Sequence, residues 1–265
     1  IDIQKLVVEM NLFESIYKNS MTGSLVIADS INLIGKLPIQ GTERLSFKLS
    51  TPGTGYTGHN VDCSERTGNP MHIYKLTNKK QINEGMQTYT LHFCSREFLR
   101  NIRTKVSETF EGTIDQMVYK ILDDEDYLDS RQFFSYQKTR NQDKITIPNI
   151  APFKAIEMLC KKALADDSKS VGYLFYQTTK GFNFRSFESM CVNSNGIPRK
   201  AKQTFNYMPM NTDERITGVL NQKDGQVVDK ITKDYTSVEQ YKFINNFHDV
   251  AMNQAMGVYG HRVIT

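Results

Sequence analysis

Hydrophobic and polar residues alternate with a period of two along much of the chain up to Phe93, which is the signature of strands that bury one face. Leu6, Val8, Met10 and Leu12 fall on one face of the first such strand, with Lys5, Glu9 and Asn11 on the other. Leu25 and Ile27 follow after Met21-Thr22-Gly23. Leu45, Phe47 and Leu49 then alternate with Arg44, Ser46 and Lys48, and Tyr89, Leu91 and Phe93 alternate with Thr88, Thr90 and His92. The pattern predicts an antiparallel β domain. Between its third and fourth strands, Ser50 to Pro70 is rich in Gly, Thr, Asn and Pro. That composition cannot bury much apolar surface and predicts a long mobile loop.

Near Ser95 the period becomes helical, with Phe98, Leu99 and Ile102 on one face. After Gly112, Thr113-Ile-Asp-Gln116 is a capping-box pattern that opens a helix through Leu122, with Ile114, Met117, Val118 and Ile121 as its buried stripe. A second helix is predicted after Pro152, with Ile156, Leu159, Cys160 and Ala163 inward. Proline costs nothing in a first turn, because the N–H it lacks has no helical partner there. Tyr173 to Tyr176 and Phe182 to Phe184 flank Gln177-Thr-Thr-Lys-Gly181, a hairpin signal with glycine at the turn. The middle of the chain therefore reads as a small α+β module.

From Cys191 to Lys202 the chain is a polar linker containing Gly196 and Pro198. Strand-like alternation resumes at 204–207, 216–220 and 241–244, a short helix is predicted from Asp249 to Met256 with Gly257 as its stop, and 258–265 reads as extended. The first residue is Ile1 and the last three read as a strand in mid-course, so the expectation is a portion of a longer chain.

The chemical motifs are sparse. Gly53-Thr-Gly55-Tyr-Thr-Gly58 matches the dinucleotide fingerprint, but that chemistry needs a helix whose N-terminus faces a pyrophosphate, and 59–70 has no helical stripe. Five histidines (59, 72, 92, 248 and 261) include no i, i+4 pair, and His92 is expected on the strand face opposite Leu91 and Phe93. Asp123 to Asp126 lacks the alternation, glycine and terminal glutamate of a calcium loop and reads as a solvated helix end. Lys79-Lys80, Lys161-Lys162, Arg100 and Arg103 are too dispersed for a nucleic-acid stripe and read as exposed charge. No catalytic residue, cofactor site or metal site is assigned.

Composition narrows this little. The 265 residues carry 33 Lys+Arg against 29 Asp+Glu, a formal charge of +4 that does not call for a nucleic-acid partner. Fifteen Phe and 13 Tyr argue against general disorder. No stretch approaches the roughly 18 apolar residues of a membrane span. Cys63, Cys94, Cys160 and Cys191 form no C-x-x-C pair and no Asn-x-Ser/Thr acceptor occurs, so four free thiols and a reducing compartment are expected.

The opening Met21-Thr-Gly-Ser-Leu-Val-Ile-Ala-Asp-Ser30, followed by Ile31 to Ile39 and Gly41 to Phe47, resembles the N-terminal tube-like domain of central baseplate hub proteins of contractile-tailed bacteriophages. Tyr89 to Glu97 resembles that family's strand ending in a Ser-x-Glu turn, and Phe110-Glu-Gly-Thr-Ile114 resembles the start of its inserted domain. Residues 147–163 and 172–187 resemble the inserted helix and hairpin, and 248–263 is similar to the return into a second tube-like domain. The ordered series spans nearly the whole chain. It departs from a whole hub by stopping at Thr265 and by the glycine-rich loop at 51–70.

The resemblance implies an α+β, mainly β protein with two tail-tube-like β-barrel domains, the second incomplete, and an inserted small α+β domain. The divisions fall at 1–109, 110–190 and 191–265. It further implies a structural virion protein at the centre of the tail baseplate, assembled in the host cytoplasm. As a homotrimer it joins the hexameric tail tube to the trimeric central spike, beside other baseplate (wedge) proteins. It is not an enzyme, it has no cofactor and no membrane span, and DNA transits its lumen without specific binding. Duplicating the tube fold within one chain lets three chains present six equivalents to a sixfold ring. The candidate assembly strands are those carrying Leu6, Val8, Met10, Leu12, Leu25, Ile27, Leu45, Phe47, Leu49, Tyr89, Leu91 and Phe93. Alternatives are the hub of a non-viral contractile injection or secretion spike, a tail-associated cell-wall hydrolase, and a monomeric binding module.

Overall fold

The computed structural model describes residues 2–36, 41, 43–49, 61–83, 85–167, 171–192, 197–200, 204, 206–207 and 237–238. In chain order, a 3₁₀ turn (Gln4–Leu6) leads into β1 (Val7–Phe13), β2 (Thr22–Asp29), α1 (Leu33–Lys36), β3 (Arg44–Leu45), β4 (Phe47–Leu49) and β5 (Val61–Cys63). A second 3₁₀ turn (Glu65–Thr67) precedes β6 (Met71–Asn83), β7 (Met86–Cys94) and α2 (Arg96–Arg103). Then come β8 (Thr109–Thr113), α3 (Ile114–Asp123), β9 (Phe134–Tyr136), β10 (Gln142–Thr146), α4 (Pro152–Cys160), β11 (Tyr173–Thr178), β12 (Gly181–Ser186) and α5 (Phe187–Cys191). The fold is α+β and mainly β, with a sheet curled into a half barrel.

That sheet has the order β1-β2-β7-β6-β3, antiparallel throughout. Its strands form because β2 and β7 alternate strictly: Leu25 and Ile27 pair with Leu91 and Tyr89 across the ladder, and all four are buried. Gly23 lies opposite Phe93, and a Cβ there would fall 2.2 Å from the ring, so only glycine lets the ring lie across β2. Register shifts after Ile73, Thr77 and Gln81 in β6 each insert a bulge, which strengthens the local twist and bends the strand. The core of this sheet gathers Met21, Leu25, Ile27, Leu45, Cys63, Met71, Ile73, Tyr89, Leu91 and Phe93.

A second, separate core lies in the middle of the chain. The capping box at Thr113 and Gln116 forms as the spacing predicts, and α3 buries Ile114, Met117, Val118, Ile121 and Leu122. α4 begins at Pro152 and buries Ile156, Leu159 and Cys160; Ala163, just past its end, is also buried. Both helices pack together, and α4 packs on the hairpin β11–β12. Phe175 stacks on Phe182 at 5.3 Å, and Tyr173 packs on Phe184 at 4.7 Å. Each such side chain contributes about 1.5–3 kcal/mol when fully buried. The hairpin turns at Thr179-Lys180, and β9 joins its outer strand in parallel. Gly181 holds φ at +122°, and a Cβ on it would meet the Phe133 carbonyl at 2.1 Å.

The described residues fall into two compact units: both cores belong to the first, and β13 (Asn206–Tyr207) and β14 (Ser237–Val238), a parallel pair, belong to the second. Of the expected strands there, only 206–207 is described; 216–220, 241–244, the helix at 249–256 and the extended 258–265 lie outside the described residues, as does the Gly53–Gly58 motif.

Several expectations are corrected. Val8 is 66% exposed, and Val7 takes the inward place instead, because the register with β2 shifts between Val7 and Glu9. Leu6 belongs to the 3₁₀ turn rather than the strand. The strand expected through Leu45, Phe47 and Leu49 divides at Ser46, so that β3 pairs with β6 while β4 pairs with β5. The loop expected over 50–70 contains β5 and a 3₁₀ turn stopped by left-handed Gly68; 50–60 lies outside the described residues. β6, the longest strand, was not legible, since its outer half is polar and bulged. Ile102 is 61% exposed, while Glu97 is the buried residue of α2.

Candidate assembly surface

The edges of the five-stranded sheet are the surface most open to a partner, because an edge strand presents unpaired N–H and C=O groups. β1 forms one edge along its whole length. At the other, β3 pairs with Met71 and His72 of β6 and the Glu43 carbonyl accepts from Ile73 N–H at 3.2 Å, so from Tyr74 onward β6 has no ladder partner on that side among the described residues. The two edges differ in chemistry. β6 carries exposed Lys75, Lys79 and Lys80, the charged residues by which natural sheets discourage pairing, beside exposed Tyr74 and Ile82. β1 carries one charged residue, Glu9, and exposes Val8 and Phe13, the latter 52% open.

The twelve residues singled out from sequence divide accordingly. Leu25, Ile27, Leu45, Tyr89, Leu91 and Phe93 are buried in the sheet core, and Leu6, Met10, Leu12 and Phe47 pack half-buried against it. Phe47 meets Phe93 at 5.7 Å. Val8 and Leu49 are exposed. These side chains therefore mostly shape the sheet from within, and the groups on offer to a partner are backbone edges with Val8 and Phe13. Phe13 was missed because it follows Leu12 and breaks the alternation.

The face of β7 away from the core carries Thr88, Thr90 and His92. His92 lies opposite Leu91 and Phe93, as expected, and bonds to Thr77 Oγ1 at 2.8 Å. On the core face, in line with Leu25 and Ile27, Asp29 at the end of β2 is buried and accepts from Leu33 N–H (2.7 Å), Ile31 N–H (3.1 Å), Gln87 Nε2 (3.1 Å) and Tyr89 Oη (3.3 Å). Burial pushes its carboxyl up, but the donors from Leu33, Ile31 and Gln87 outweigh that and hold it below the ordinary value.

In the α+β module an aromatic ledge lines the open edge of β9. Phe134 stacks on Tyr136 at 5.3 Å and meets Tyr119 at 6.1 Å, and Phe133, Tyr119 and Tyr136 are exposed. The acidic run after α3 is solvated as expected, with Asp123, Glu125 and Asp126 exposed, while its backbone is braced: Arg100 donates from Nε to the Tyr127 carbonyl at 2.8 Å and from its guanidinium to the Glu125 carbonyl. Arg100 is thus a structural clamp and not free surface charge. All four cysteines are free thiols, and three are buried, with Cys191 exposed. Among the described residues no cluster of three or more His, Cys, Asp or Glu could hold a metal ion, and no helix is long and apolar enough to cross a membrane.

No model of a known protein family matches the chain, and no curated protein does. Solved structures do. The chain is similar to the 43 kDa tail protein of prophage MuSo2 from Shewanella oneidensis, at 11% identity and a TM-score of 0.43, over 77% of this chain and 54% of that one. It is similar to the E. coli c3393 protein, at 11% identity and a TM-score of 0.46, over 80% and 52%. That protein is described as a component of the type VI secretion system with structural similarity to T4 bacteriophage tail proteins gp27 and gp5. Prophage tail protein gp18 of Listeria monocytogenes EGD-e is similar at 8% identity and a TM-score of 0.39, over 76% and 49%. The chain spans about half the length of each.

Proposed function

We propose that the chain is a structural part of a bacteriophage tail, acting as the hub at the centre of the baseplate. In this reading residues 1–109 and 191–265 are tube-like domains around an inserted module at 110–190. Three chains form a homotrimer that joins the hexameric tail tube to the trimeric spike, beside the wedge proteins, and DNA passes through the lumen. The chain is not an enzyme. The observation that carries the proposal is the curled sheet with two unlike open edges, one apolar (β1) and one lysine-lined (β6), followed in order by an α+β module. Contact between two different edges of one sheet is head-to-tail, and it generates a ring when the rotation between copies closes. The order of segments also follows the hub series from Met21 to Phe187.

Light scattering at assembly concentrations, with and without the spike, tests it: trimers are expected, and monomers under both conditions overturn it. Phe13→Lys on the β1 edge is expected to weaken association at least roughly tenfold, or about 1.4 kcal/mol, with an unchanged melting temperature. Release of peptidoglycan fragments that a single carboxylate substitution abolishes would replace the structural role with a hydrolase.

A further inference from the structure

The sheet core and the module core share no residue, and a line of polar groups connects them. The Met21 N–H donates to Gln177 Oε1 at 2.7 Å, and Gln177 Nε2 donates to Gln132 Oε1 at 2.9 Å. Gln132 Nε2 in turn donates to Asn69 Oδ1 at 2.8 Å and to both oxygens of Glu97 at 3.2 Å, and Ser130 Oγ lies 2.6 Å from Glu97 Oε1. The line ends on a carboxyl that is 2% exposed.

The charges around Glu97 are committed elsewhere. Arg96, its neighbour on α2, donates to the carbonyl and carboxylate of Asp129; Arg131 reaches Asp129 at 3.0 Å and Arg100 at 3.8 Å. No cation among the described residues lies within ion-pair distance of Glu97. From β7, the Cys94 thiol is pushed up to about 12 by burial and by Glu97, so it carries no charge near neutrality. From β6, His72 is held below its ordinary value by burial and by Arg44 and Arg96.

We propose that Glu97 is a proton-linked lock on the joint between the sheet and the module. With its proton on, the carboxyl donates to Ser130 Oγ and accepts from Gln132, closing the line with neutral hydrogen bonds. With the charge on, an unpaired carboxylate is enclosed and the joint loosens, since a buried charge without a counter-ion is costly. Burial raises this carboxyl, and Ser130, its own backbone N–H, the nearby Arg96 and Gln132 offset it only in part. A closed joint that holds the proton more tightly than the open one is most secure below the ordinary glutamate range. It loses that security as pH rises through the raised value.

Hydrogen–deuterium exchange on the full chain, corrected for intrinsic rates, reads the joint directly in peptides covering 95–101, 128–133 and 174–178, with 89–93 and 114–122 reporting the two cores. In the native sequence, joint protection is expected to fall by roughly tenfold or more between about pH 5 and about pH 8, with core protection unchanged. Glu97→Gln, which carries a neutral amide, is expected to hold the protection of the acid form at every pH, and Glu97→Ala to lose it at every pH. A pH dependence that persists in Glu97→Gln assigns the effect to His72 or another group and overturns the proposal. Loss of protection in Glu97→Gln at every pH, or cores that open together with the joint, overturns it equally. Should Glu97→Gln not fold, Ser130→Ala decides, because removing that partner must move the pH midpoint of loosening and an unmoved midpoint refutes the lock.

Discussion

Asp29→Asn is a sharp probe of how the sheet is held at its turn into α1. The carboxylate's partners are all donors: Ile31 N–H on one oxygen, Leu33 N–H, Gln87 Nε2 and Tyr89 Oη on the other, with the Ile34 N–H also turned towards it. An asparagine has one acceptor oxygen. Turned towards the three donors, it leaves its own NH₂ facing the Ile31 N–H; turned the other way, it opposes all three. The better choice still orphans one backbone donor and converts three charge-assisted bonds into neutral ones, for a loss of about 3 kcal/mol. At roughly 2–4 °C per kcal/mol for a chain of this size, the melting temperature should fall by about 6–12 °C. Thermal unfolding followed by circular dichroism at neutral pH and in acid is the assay. The folded carboxyl sits below its ordinary value, so its contribution is present above about pH 4 and is lost as pH falls through the lowered value. The gap between the native protein and the Asp29→Asn variant must therefore narrow in acid. A variant within about 0.5 kcal/mol of the native protein at neutral pH, or a gap that does not narrow, refutes the account.

Two further outcomes follow from the module and the thiols. Gly181→Ala combines a left-handed backbone with a Cβ 2.1 Å from the Phe133 carbonyl, and is expected to cost more than about 2 kcal/mol in urea unfolding; a neutral result would mean that β9 does not close against the hairpin. Cys63, Cys94 and Cys160 are buried, with thiols pushed to about 11, 12 and 12 by burial first. Ellman's reagent should therefore titrate one thiol rapidly, Cys191, and all four only after unfolding; a second fast thiol in the folded chain contradicts that burial.

The module was the more legible part of the chain. Its helices and hairpin are local structures: Thr113 and Gln116 cap a helix three residues apart, Pro152 starts another, and Gly181 turns a hairpin, all readable within a few positions. The candidate surface was less legible. Val8 reads as an inward residue until a bulge against β2 puts Val7 there instead, and a bulge is a property of two strands. β6 hides its strand character behind Lys75, Lys79 and Lys80, which leave its outer half without alternation. Glu97 sits on a short helix whose hydrophobic spacing points to Phe98, Leu99 and Ile102, and only the approach of Ser130 and Gln132, more than thirty residues away in sequence, makes it the buried one.

Sequence by itself determined which segments bury a face and with what period: the strict alternation of β2 and β7, the stripe of α3, and the place of the α+β module between strand-rich stretches. These are near-neighbour facts, set by side-chain volume and backbone preference within one element. Tertiary structure alone decided the order β1-β2-β7-β6-β3, which edges stay open, and where a carboxyl loses its water. Each of those depends on which distant element arrives beside it, and pairing partners, bulges and desolvation have no period along the chain.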